Sequence, residues 1–82
     1  MSHMTNRQKI LIEDEINIIQ RKIDEAMRFM EADNFWGQHE QALRWSERVD
    51  EEVTRMNGIK IVLSVLGYNI GWKDGKRVIE TA

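Results

Sequence analysis

Apolar residues recur along the first half of the chain at helical spacing. Ile12, Ile16, Ile19, Ile23, Ala26 and Met30 follow one another four and three residues apart, the seam of a helix that packs lengthwise on another. Thr5 stands before this run with Gln8 three residues on. That is the capping-box pattern, in which the hydroxyl accepts from the Gln8 amide while the Gln8 side chain reaches back. A first helix is therefore expected over about 5–32, ending at Asp33-Asn34, both of which favour leaving a helix. A second seam runs through Ala42, Trp45, Val49, Met56, Ile59, Leu63 and Leu66, provided Glu52 is passed over and Val53 is taken as its neighbour on that face. It predicts a second helix over about 36–66, with its start at Asn34 or at Gly37 with Glu40 following, and with Gly67 as a left-handed stop. Asn57-Gly58 inside it is either tolerated or a kink.

After Gly67 the period changes to two. Tyr68, Ile70 and Trp72 share one face of a strand, Asp74-Gly75 suits a two-residue type I′ turn, and Lys76 to Thr81 returns as the partner. Strands over about 68–73 and 76–81 would then set Ile70 opposite Ile79 and Trp72 opposite Arg77. A lone hairpin is barely stable in water, so this one must lie on the helices. The fold class read from the pattern is mainly α: an antiparallel two-helix hairpin followed by a small C-terminal β-hairpin.

The apolar surface exceeds what two helices cover in each other. Leu11, Ile18 and Phe29 form a second stripe on helix 1, about 100° round from the first. Helix 2 is apolar nearly all round from Ile59 to Leu66. This predicts self-association, most simply as a homodimer in which two hairpins form a four-helix bundle. Leu11, Ile12, Ile16, Ile18, Ile19, Ile23, Phe29 and Met30 are its candidate interface.

Length and charge narrow the function classes. Eighty-two residues leave room for one domain. Met1-Ser2-His3 reads as an expression-tag remnant, and residues 4–82 as the domain. A formal charge of -2 argues against a bulk electrostatic grip on nucleic acid or acidic membranes. The absence of cysteine removes disulfides, thiolate catalysis and sulfur-ligated metals. No run is long and apolar enough for a membrane span, which leaves a cytoplasmic protein as the expectation.

Candidate chemistry is sparse. His39 and Glu40, with Asp33 and Glu47 nearby, form the one group resembling a metal or acid-base site, yet the two-histidine spacings that would make it specific are missing. Glu13-Asp14-Glu15 and Asp50-Glu51-Glu52 diverge round their helices and read as solvated faces, with Arg48 placed to pair with Glu52. Ser46 and Ser64 have no histidine at recognisable range, and the glycines form no phosphate loop. No catalytic residue, cofactor or metal is assigned. Two surfaces are candidates for partner binding. One is the tip Trp72, Lys73, Lys76 and Arg77, where an aromatic beside three cations could stack on a base and hold phosphate. The other is Phe35-Trp36 at the bend, expected first as a plug closing the bundle end and second as a patch for a protein partner.

The run Gly58-Ile59 to Leu63, then Leu66-Gly67-Tyr68 and the Trp72 to Ile79 hairpin, resembles the ends of short helical proteins encoded by bacterial phages and mobile elements. The resemblance implies a small accessory or regulatory protein and names no activity. The function expected is therefore non-enzymatic: a self-associating helical protein that binds another macromolecule. The alternatives are a nucleic-acid-binding accessory using the hairpin tip, and a small enzyme or metal protein around His39.

Overall fold

A computed structural model describes residues 4–82; the reading of residues 1–3 as a tag remnant lies outside the described residues. Helix α1 spans Asn6–Phe35 and helix α2 His39–Val65, followed by strands β1 (Tyr68–Lys73) and β2 (Lys76–Thr81). The helices form an antiparallel hairpin and the strands an antiparallel pair, in a molecule measuring 53 × 23 × 18 Å.

The capping box forms as expected: Thr5 Oγ1 accepts from the Gln8 amide at 3.1 Å, and Gln8 Oε1 from the Thr5 amide at 3.0 Å. The helix ends differ from the sequence reading. Asp33-Asn34 does not stop α1, which continues to Phe35. Gly37, at φ 78°, supplies the stop: its amide donates to the Asn34 carbonyl at 3.2 Å and the Gln38 amide to the Asp33 carbonyl at 2.7 Å. Those two bonds are a Schellman closure, and they hold Asp33 and Asn34 inside the last turn. Gly37 thus belongs to the end of α1, and α2 starts at His39 rather than near residue 36. Gly58 does not break α2, which is one continuous helix through Asn57 and Gly58 to Val65.

The core is the helix seam plus one strand residue. Ile16, Ile19, Ile23, Met56, Leu63 and Ile79 form a buried cluster, flanked by Met4, Ile12, Val49, Ile59, Tyr68 and Ile70. One expectation about the seam is overturned. Glu52 is buried at 4% exposure while Val53 is exposed, so the true seam passes through Glu52 and not its neighbour. The spacing Val49, Glu52, Met56, Ile59, Leu63 alternates three and four without a gap, and backbone geometry keeps that order whatever the side chain. Arg55, not Arg48, is the cation beside it, with Nη1 3.8 Å from Glu52 Oε1. The other oxygen, Oε2, has no hydrogen-bond partner among the described residues.

The β-hairpin keeps the expected register, Ile70 opposite Ile79 and Trp72 opposite Arg77. Asp74 and Gly75 have φ 53° and 77°, the two positive values a type I′ turn requires.

Candidate functional site

How the β-hairpin is held decides which surfaces remain open. The outward backbone groups of β2 face α1, and polar side chains of α1 take the place of a third strand. Asn17 Oδ1 accepts from the Arg77 amide and Asn17 Nδ2 donates to the Arg77 carbonyl, both at 2.9 Å. One turn earlier, Glu13 Oε2 accepts from the Ile79 amide at 2.7 Å. Unpaired strand edges invite foreign strands, and this one is closed from within. Glu13 is therefore a structural ligand of the hairpin and not part of a solvated triplet. Tyr68 fixes the other end, its hydroxyl oxygen accepting from the Met4 amide at 3.2 Å.

Docking also restrains the hairpin tip. Arg77 lies over the Trp72 ring, its guanidinium carbon 4.0 Å from the ring centroid. Its Nε donates to Gln20 Oε1 at 3.0 Å. Arg77 is thus engaged on three sides by its own chain. Trp72, Lys73 and Lys76 are exposed, with Lys73 opposite Lys76 beside the turn. The four candidate residues of the tip are together in space, and only the lysines and one Trp72 face are open for a partner.

At the bend, Phe35 and Trp36 are 80% and 73% exposed and meet edge to face at 5.2 Å between ring centroids. They do not plug the bundle. The Gly37 closure leaves both rings at the turn, in water. Phe29 of α1, itself exposed, stacks across the helices on Trp45 at 5.0 Å between ring centroids.

The eight residues proposed for self-association divide into two sets. Ile16, Ile19 and Ile23 are buried against α2, and Ile12 packs on the same cluster. Leu11, Ile18 and Phe29 stay exposed, with Met30 half-buried. Leu11 and Ile12 join Glu15, Gly58, Ile59, Val62, Leu63 and Leu66 along a shallow apolar groove of about 400 Å³ between the helices. The hairpin contacts α1 through Glu13, Asn17 and Gln20. In helical projection those three lie well round from Leu11 and Ile18, so the groove opens on the face that the β-hairpin leaves uncovered. Gly58 lines it, and the space where its Cβ would stand is empty to 4 Å.

His39, the first residue of α2, is exposed and has Nδ1 3.2 Å from Asn34 Oδ1. Among the described residues no three His, Asp or Glu side chains converge as metal ligands, and no helix is long and apolar enough to cross a membrane. Sequence reading missed Glu13 and Asn17 as hairpin ligands. Their signal was a polar pair four residues apart flanking the seam, indistinguishable by composition from a solvent face. No family model, curated protein or solved structure matches the chain.

Proposed function

We propose that the chain is a non-enzymatic, self-associating helical protein that acts in the cytoplasm by binding another macromolecule, an accessory role of the kind its phage-protein resemblance implies. One observation carries the reading. The β-hairpin covers one face of the two-helix layer, the opposite face keeps Leu11, Val62 and Leu66 exposed around a continuous groove, and Ile18 is exposed on the outer side of α1. Exposed apolar patches of this contiguity mark association surfaces. The partner surface on this reading is the bend, Phe35 and Trp36, together with the open part of the tip, Trp72, Lys73 and Lys76. Large aromatic contact area beside directed charge is the composition of binding hot spots.

Sedimentation of the wild-type chain tests self-association: a mass of two chains or more at tens of micromolar supports it, and a monomer there refutes it. Partner binding is tested by replacing Phe35, Trp36, Trp72, Lys73 and Lys76 with alanine. These side chains are exposed, so helical content is expected to hold while partner binding is lost; full retention of the partner would refute the assignment. Nucleic acid as the partner would show as oligonucleotide binding that weakens steeply with salt. Loss of function on His39→Ala alone would move the site to His39.

A further inference from the structure

The open face carries a charge order that points to one occupant. Ile18 sits at the middle of the exposed stripe of α1. One turn towards the N-terminus lie Asp14 and Glu15, and one turn towards the C-terminus lie Arg21 and Lys22, all four exposed. At 100° per residue, Glu15 and Lys22 border the stripe on one side, and Asp14 and Arg21 on the other. Members of each pair are seven residues apart, about 10 Å along the helix, too far to neutralise each other within one chain. Among the described residues the one ion pair is Arg55 with Glu52, so none of these four charges is held in a close ion pair of its own chain, although Asp14 borders the same cavity as Lys73 and Lys76.

We propose that the exposed stripe of α1 through Leu11 and Ile18 is covered by a second copy of this chain, its α1 crossing antiparallel over the first about a two-fold axis at Ile18. The inference rests on the self-association reading and specifies its geometry. Such an axis reverses the helix direction and keeps each border on its own side. Ile18 then meets Ile18, Glu15 meets Lys22 of the second copy, and Asp14 meets its Arg21; each contact occurs twice. Leu11 comes level with residue 25 of the second copy. A parallel dimer exchanges the two borders, so that Glu15 faces Asp14 and Lys22 faces Arg21, like charge against like. An unrelated helix would have no reason to match an order that is complementary to itself under reversal. The groove adjoins this stripe through Leu11 and Glu15, and Gly58 on its α2 side presents no side chain to a crossing helix.

Charge exchange and cross-linking test the geometry of the dimer separately from its existence. Glu15→Lys puts lysine against lysine at two symmetric contacts and is expected to weaken the dimer about tenfold. Glu15→Lys combined with Lys22→Glu in one chain restores both contacts, and association is expected to return to within about threefold of wild type. The chain has no native cysteine, so thiol placement is clean. A mixture of Leu11→Cys and Glu25→Cys chains is expected to form a disulfide-linked heterodimer, whereas Leu11→Cys alone forms none. A dimer in which the double reversal fails to restore affinity, or in which Leu11→Cys cross-links to itself, overturns the antiparallel alignment and leaves self-association standing. A wild-type monomer overturns both.

Discussion

Asn17 does for β2 what a neighbouring strand would do, since its amide group both accepts from and donates to the Arg77 backbone. Removing it leaves a part-buried N–H and C=O without partners, and unmade hydrogen bonds are more consequential than made ones. Asn17→Ala is accordingly expected to destabilise by about 1–3 kcal/mol in urea unfolding; an unchanged midpoint would show that water replaces the side chain at no loss. Glu52 presents the opposite case. It is a carboxylate at the helix interface with one long ion pair and one unpartnered oxygen. Replacing a buried charge by an apolar side chain of similar volume is often neutral or stabilising. Glu52→Leu is expected to raise stability by about 1–3 kcal/mol, and a fall in the unfolding midpoint would mean that the carboxylate makes a contact essential to the fold. Neither residue was readable as a class: polarity suggests solvent, and burial follows here from position on the helix. For Glu52 the unbroken three-four spacing was the better guide than side-chain type. For Asn17 no such guide exists, because a backbone partner leaves no complementary residue in the sequence.

Elements defined by local chemistry were the most legible. Both strands have the boundaries and register expected, because Asp74-Gly75 fixes the turn and the turn fixes every pair after it. The helix junction was less legible, since Asp33-Asn34 and Gly37 are competing stops four residues apart or less. Gly37 prevails because its left-handed φ allows two closing hydrogen bonds that Asp33 and Asn34 would forgo. Gly58 raises a different question, for it lies inside a helix with nothing beside it. In the isolated chain, Gly58→Ala is expected to stabilise α2 by about 1 kcal/mol, the propensity difference between the two residues. Thermal unfolding at low concentration checks this, and destabilisation would reveal a contact at that position. Docking of the β-hairpin is expected to depend on Ile79, which is 2% exposed. Ile79→Asp should cost about 2–4 kcal/mol, the range for an unpaired polar group in an apolar site. In the wild type, the Ile79 amide, bonded to Glu13, is expected to exchange hydrogen slowly; exchange at the free-chain rate would show an undocked hairpin.

At the scale of the whole molecule, eight hydrophobic residues among those described are buried in a body only 18 Å across its thinnest direction. Cores this small supply a narrow margin over chain entropy, while the same layer leaves Leu11, Ile18, Ile61, Val62 and Leu66 in water. The excess was visible in the sequence as a second stripe on helix 1. The division was visible too: Ile16 and Ile19 fall on the seam and are buried, whereas Ile18 lies about 100° round from it and is exposed; what covers the second stripe was not, because nothing within one chain's pattern specifies it. Association that covers the open face adds its free energy to folding, so stability must then rise with concentration. For a chain this short, a tenfold increase in protein is expected to raise the unfolding temperature on the order of 3–5 °C, by mass action on a dimer that unfolds to two chains. Leu11→Lys with Ile18→Lys places charge on the open face without entering the buried cluster. That variant is expected to keep its helical content and to unfold at a lower temperature that no longer changes with concentration. Differential scanning calorimetry of both proteins between about 10 and 1,000 µM makes the comparison, and a wild-type transition that stays fixed across that range would mean that the open face contributes nothing to folding.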